Sequence, residues 1–211
     1  MRIGVLLAGC GLYDGSDIHE TVLLLDALER AGERPVLLAP DLPQARTVDH
    51  LTGDTIPGEE RRVWGESARL ARARVRPLAE VDPGELLALI VPGGYGPAVN
   101  FGTGFAMPGV PRRLVPEVRS FLLHFVEAGK PLGLIGLGEL PVCLALEEEA
   151  APPEAPADPA TLRVDARRAI LRTPGFAAFT RLGDVRQGID SLVRAILERL
   201  DGAAGATRSA P

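Results

Sequence analysis

Reactive side chains are scarce in this 211-residue chain, which holds two cysteines, three histidines and one tryptophan. Cys10 and Cys143 cannot build a disulfide framework, and their spacing fits no zinc-ligand pattern. His19, His50 and His124 are scattered, without the i, i+2 or i, i+4 pairing of a metal site, so neither a metal nor a cofactor is expected. An excess of positive charge is also missing: 23 basic against 28 acidic side chains give a net charge of −5. That leaves no electrostatic footprint for nucleic acid or an anionic membrane surface. Apolar runs such as 86–91 are too short to span a bilayer. Residues 1–8 begin a strand at once, without the separate apolar core and cleavage site of a signal peptide, and the expected compartment is the cytoplasm. The absence with most chemical content lies at 131–142, where there is no Cys, Ser, Thr, Lys or His. The run Leu134-Ile135-Gly136-Leu137-Gly138-Glu139 reads as strand, tight turn and helix start, the shape of a nucleophile elbow with Gly136 where the nucleophile would stand.

What is present is enough apolar material for one sizeable core, with 46% hydrophobic residues, and one domain over 1–200 is expected. Strand-like runs at 2–8, 34–39, 86–91 and 131–135, with a short one at 74–77, alternate with helical periods. This pattern predicts an α/β fold with a mostly parallel sheet and helices on both faces. Ile18, Thr21, Val22, Leu25 and Leu28 form one helical stripe ended by Ala31-Gly32. A second helix is expected over 111–127, with His124 on its solvated side, and a last one over 185–200. Residues 161–165 and 169–172 resemble a hairpin. The acidic, Ala- and Pro-rich stretch 147–160 reads as a mobile surface loop, and 201–211 as a disordered tail.

In an open α/β sheet, ligands collect at the carboxyl ends of the strands. Those ends carry Gly9-Cys10-Gly11, Gly93-Gly94 and Gly136-Leu137-Gly138. Three such turns at one edge would allow close backbone approach and offer N–H groups to an oxyanion, although any single one is equally a sharp turn. Gly9-x-Gly11 fails as a dinucleotide fingerprint, because the third glycine is Gly15 and Asp14 and Asp17 would repel a pyrophosphate. Glu20 has two readings that the residues alone leave open: a carboxyl in the pocket, or the acid of a capping box with Asp17. Cys10, between two glycines near a helix N-terminus, is a candidate nucleophile with a lowered pKa, or else a small turn residue. Glu139 is a candidate acid or base, or a helix N-terminal acid; Cys143 reads as a core thiol.

Taken in order, 9–20, Ala39-Pro40-Asp41, 50–53, 88–96 with Asn100, and 129–133 resemble the ElbB family. That family is a branch of the class I glutamine amidotransferase-like superfamily, which also holds the PfpI-type proteases and the Parkinson-linked deglycase. The likeness covers about the first 145 residues and fades to Thr173-Pro174 and the last helix beyond them. It implies a flavodoxin-like, doubly wound sheet, a homodimer, and a nucleophilic cysteine at the elbow bonded to a glutamate of the first helix. Glu20 matches that glutamate, and the cysteine falls on Gly136. Family members are described as glutathione-independent glyoxalases that act on methylglyoxal-type aldehydes through a hemithioacetal, and are linked by name to isoprenoid biosynthesis. Without a thiolate that adduct cannot form. The resemblance therefore implies a protein that keeps a pocket for a small carbonyl metabolite, with Gly9, Gly11, Gly93, Gly94, Leu137, Gly138, Glu139 and Asn100 around it, but not the usual activity. The alternatives are a weak glyoxalase, hydrolase or lyase working through Cys10 or Glu20 and Glu139, and a structural subunit beside an active paralogue.

Overall fold

The computed structural model describes residues 2–105, 109–150 and 154–208. In chain order the elements are β1 (Ile3–Leu6), α1 (Ile18–Arg30), β2 (Val36–Ala39), α2 (Val63–Ala71), β3 (Arg76–Pro77), β4 (Ala88–Val91) and α3 (Gly96–Asn100). There follow β5 (Gly102–Thr103), β6 (Arg113–Leu114), α4 (Pro116–Glu127), β7 (Leu132–Ile135), α5 (Leu140–Ala145), β8 (Arg163–Asp165), β9 (Ile170–Thr173) and α6 (Leu182–Arg208). The main sheet has the order β3-β2-β1-β4-β7-β9-β8, parallel throughout except that β8 pairs antiparallel with β9. This is the doubly wound, flavodoxin-like α/β architecture expected from the sequence, and every strand read from the sequence lies within two residues of its observed ends.

Strands buried on both faces need apolar side chains in both directions, and β1, β4 and β7 are buried along their whole length. Ile3, Val5, Ile90 and Leu171 face Leu24 and Leu28 of α1 and Ile189, Leu192 and Ile196 of α6. Leu6, Leu89, Val91 and Leu134 face Val118, Phe121, Leu122 and Phe125 of α4. Successive strands are added to one side from β1 to β3 and to the other from β4 onward, and because they run parallel the carboxyl ends of β1, β4, β7 and β9 open onto one edge at this switch.

Three helical expectations change. The buried side of α1 carries Glu20, Thr21, Leu23, Leu24, Ala27 and Leu28, while Ile18 and Val22 are 45% and 51% exposed. The run Leu23-Leu24-Leu25 makes the helix apolar nearly all round, so periodicity alone could not fix its phase. The end of α1 is as expected: Gly32 N donates to Glu29 O and Glu33 N to Leu28 O, a Schellman turn. The helix expected from 111 begins at Pro116, since Arg113–Leu114 pairs with Gly102–Thr103 as a small hairpin; proline at the first helical position marks the true start. The tail expected from 201 is helical to Arg208, because adding alanine-rich turns to an existing helix needs no new nucleation; 209–211 lie outside the described residues. No helix among the described residues is long and apolar enough to cross a membrane.

Ile196 is fully buried, and an ideal Cβ on Gly133 of β7 would lie 2.7 Å from its Cδ1, so α6 sits directly on the sheet backbone. Ile196→Ala is expected to destabilise the fold by about 2–4 kcal/mol in urea unfolding, from lost burial and an uncollapsed cavity.

Candidate functional site

The site is organised around Glu20, which is 1% exposed. Asp17 caps α1 by accepting from Glu20 N at 3.0 Å, and Asp17 N donates to Gly93 O at 2.9 Å, which seats the helix start on the turn after β4. The Glu20 carboxyl does not turn back to close a capping box. Its Oε2 accepts from Gly93 N and its Oε1 from Phe176 N, each at 2.8 Å. The acid thus bridges the turns after β4 and β9, with the β7 turn between them. Burial first, and then Asp17, raise its pKa to about 7 against the pull of the two amide donors.

Glycine is what lets three backbones close on one carboxyl. An ideal Cβ on Gly93 would lie 2.6 Å from Oε2, and one on Gly175 would lie 2.2 Å from Oε1. At Gly136 the same atom would lie 3.0 Å from Oε1 and 3.3 Å from Pro174 O. Gly136 has φ +51, the left-handed turn of an elbow, so the backbone shape is kept although no nucleophile stands on it. Gly136 also lines a cavity of about 490 Å³, together with Glu139, residues 154–156, Leu162, Arg163, Arg172 and Pro174. Residues 154–156 belong to the stretch expected to be a mobile surface loop, and they wall this cavity; 151–153 lie outside the described residues.

Other expected site residues have different roles. Asn100 donates to Ala8 O and Asp14 O at 2.8 Å and accepts from Ala45 N at 2.9 Å, so its amide knots three loops and has nothing left for a pocket. Gly9 N donates to Ser67 Oγ and Gly11 N to Ser16 O, which removes both as oxyanion donors. The Gly93 amide is likewise committed, to Glu20. Gly94 and Gly138 serve close packing: an ideal Cβ would lie 2.5 Å from Asp17 N at the first and 2.4 Å from Val91 O at the second. Leu137 N lies 3.0 Å from the ideal Cβ of Gly93, so the β4 and β7 turns abut. Cys10 is half-buried, and burial, followed by Glu66, pushes its thiol up, the reverse of the lowered pKa expected for it. Glu139 is held by Arg163 and, at 3.1 Å, by Arg172, which leaves it an ion-pair clamp in place of a free acid or base. Cys143 is buried, and burial with the nearby Glu139 raises its thiol to about 11.

The sequence reading missed the turn after β9, Pro174-Gly175-Phe176, which supplies half of the Glu20 anchor. The available signal was a fourth glycine turn after a strand, with Gly175 at φ +53. Among the described residues no group of three or more His, Cys, Asp and Glu comes together as a metal site.

The fold and this glycine-walled carboxyl define a class I glutamine amidotransferase-like domain. No protein-family model matches the chain. Over 222 residues it is 35% identical to the human protein named glutamine amidotransferase-like class 1 domain-containing protein 3, mitochondrial, covering 93% of this chain and 82% of that protein. It is 33% identical to the rat ES1 protein homolog, mitochondrial, over 93% of this chain and 83% of the relative. A crystal structure of an isoprenoid biosynthesis protein with an amidotransferase-like domain from Ehrlichia chaffeensis superposes with a TM-score of 0.85 at 27% identity, covering 94% of this chain and 100% of that one. The chain belongs to the class I glutamine amidotransferase-like family.

Two outcomes are expected. Because the folded-state pKa of Glu20 is raised, its contribution is full below about pH 4.5 and is lost as pH rises to about 7, on the order of 3 kcal/mol; stability curves of wild type and Glu20→Gln should differ in slope across that window and run parallel above it. Iodoacetamide at pH 7 should label both cysteines well below the rate of free cysteine, read by mass spectrometry.

Proposed function

We propose that this chain is an ElbB-type member of its family that keeps a small-molecule pocket, has lost the elbow cysteine, and therefore lacks cysteine-dependent glyoxalase activity. It acts in this reading as a cytoplasmic homodimer that binds a small carbonyl metabolite or a partner, although its human and rat relatives are named mitochondrial. The observation that carries the reading is Gly136: an elbow turn at φ +51, next to a buried carboxyl, with no side chain to attack a carbonyl. A hemithioacetal needs a sulfur, and the chain's two thiols are at Cys10 and Cys143, both with raised pKa. Glu20 can still exchange a proton near neutral pH, which suits holding a carbonyl or its hydrate without transforming it. The name of the Ehrlichia chaffeensis relative is consistent with a role beside isoprenoid synthesis.

Purified protein incubated with methylglyoxal is expected to form lactate no faster than a heat-killed control, followed by chromatography of the product. Turnover clearly above that control, and lost in Glu20→Ala, overturns the proposal. Gly136→Cys is expected to gain turnover, because its sulfur would project from a Cβ already 3.0 Å from Glu20 Oε1.

A further inference from the structure

One wall of the cavity beside Gly136 carries a guanidinium that the fold leaves incompletely hydrogen-bonded. Arg163 and Arg172 converge on the single carboxylate of Glu139. Two guanidiniums thus share one acid, and the other carboxylate of the lining, Glu154, pairs with neither among the described residues. Arg163 chelates both Glu139 oxygens, whereas Arg172 has only its Nε within 3.1 Å of one of them, out of line for a hydrogen bond. The Arg172 side chain is 12% exposed, and among the described residues it donates no hydrogen bond. The buried Nε of Arg172 has no hydrogen-bond acceptor, and the planar fork of a guanidinium matches a carboxylate or a phosphate, of which the doubly charged phosphate is disfavoured by Glu154 on the same cavity.

The rest of the lining limits what can carry that carboxylate. Ala155, Pro156 and Leu162 present apolar surface, and the volume of about 490 Å³ is several times that of a three-carbon aldehyde. Glu154 also lines the cavity and has no ion-pair partner among the described residues, so a second negative charge on the ligand would meet repulsion. We propose that the cavity takes an aliphatic 2-oxo monocarboxylic acid, its carboxylate on Arg172, its chain against Leu162, Ala155 and Pro156, and its oxo group toward Gly136. The oxo group rests on the function proposed above; the carboxylate rests on Arg172 alone.

Isothermal titration of the unaltered protein with four probes separates the two. 4-Methyl-2-oxopentanoate is expected to bind about tenfold or more tightly than 4-methyl-2-pentanone, which lacks the carboxylate, and than 2-oxoglutarate, which carries two. Arg172→Met should erase the advantage over the ketone, and Arg172→Lys, which keeps charge without the fork, should retain part of it; Glu139 stays paired to Arg163 in both. Equal binding of acid and ketone, or an advantage that survives Arg172→Met in a protein of native circular dichroism, overturns the carboxylate assignment and leaves the carbonyl reading standing. Equal binding of 4-methylpentanoate and its 2-oxo form overturns the oxo assignment and the carbonyl reading with it.

Discussion

The two hydrogen bonds to the Glu20 carboxyl are the constraint on which the site depends. They join a helix that follows β1 to turns that follow β4 and β9, and so fix the edge of the sheet across β7. The Gly93 amide is enclosed with the acid and the Phe176 amide partly so, and removing the side chain would leave both backbone donors without their acceptor. The carboxyl is under opposed demands. The amides favour the anion; burial and Asp17 favour the neutral acid, and the balance falls near neutrality. A group in that position can exist in either form without the fold having to move, which is a requirement for proton exchange with something placed beside it.

Gly136 follows from the same geometry. The turn must approach the carboxyl closely and must adopt φ +51 to leave β7 for the next helix. A residue with a side chain would carry about 1–2 kcal/mol in that conformation, which is tolerated where a reactive atom needs presenting. Glycine adopts it freely, so the elbow-like turn forms here without a side chain. Gly175 and Gly93 have no such latitude: any Cβ there would enter the space of the carboxyl itself. Of the three glycines around Glu20, the one at 136 is the least crowded, an added Cβ meeting Glu20 Oε1 at 3.0 Å and Pro174 O at 3.3 Å.

Much of this was legible in the residues. Buried strands announce themselves by uninterrupted apolar runs, and Gly93 and Gly136 were readable as turns after β4 and β7, whereas Glu20 stood open between pocket and capping box until the family resemblance favoured the pocket. What failed has physical causes. The phase of α1 was undecidable within Leu23-Leu24-Leu25, where every direction is apolar. Gly9, Gly11 and Asn100 look like pocket residues in sequence, but their hydrogen-bonding groups are used by Ser67, Ser16, Ala8, Asp14 and Ala45, partners that only the tertiary fold brings to them. Cys10 sits beside Glu66, an acid that only the fold places near it, and its thiol shifts up where the local helix start had suggested down.

The cavity was the least readable feature, because its wall is made of residues from four segments with no common spacing. Glu139 begins the turn into α5, Arg163 lies on the antiparallel edge strand, Arg172 on β9, and 154–156 on the acidic connection. The ion pairs give this arrangement its logic. An edge strand of three residues, β8, has little of its own to hold it, and Arg163 on Glu139 ties it across β9 to the turn after β7. Glu139 is thereby spent on structure. Once its oxygens are claimed by Arg163, it can neutralise Arg172 by proximity but cannot satisfy its donors, and the fold reaches a state in which edge-strand stability and an incompletely paired guanidinium are consequences of one carboxylate. An incompletely paired guanidinium facing a mostly apolar cavity, one turn away from a carboxyl poised near neutrality, is thus produced by the way the last three strands are fastened to the sheet.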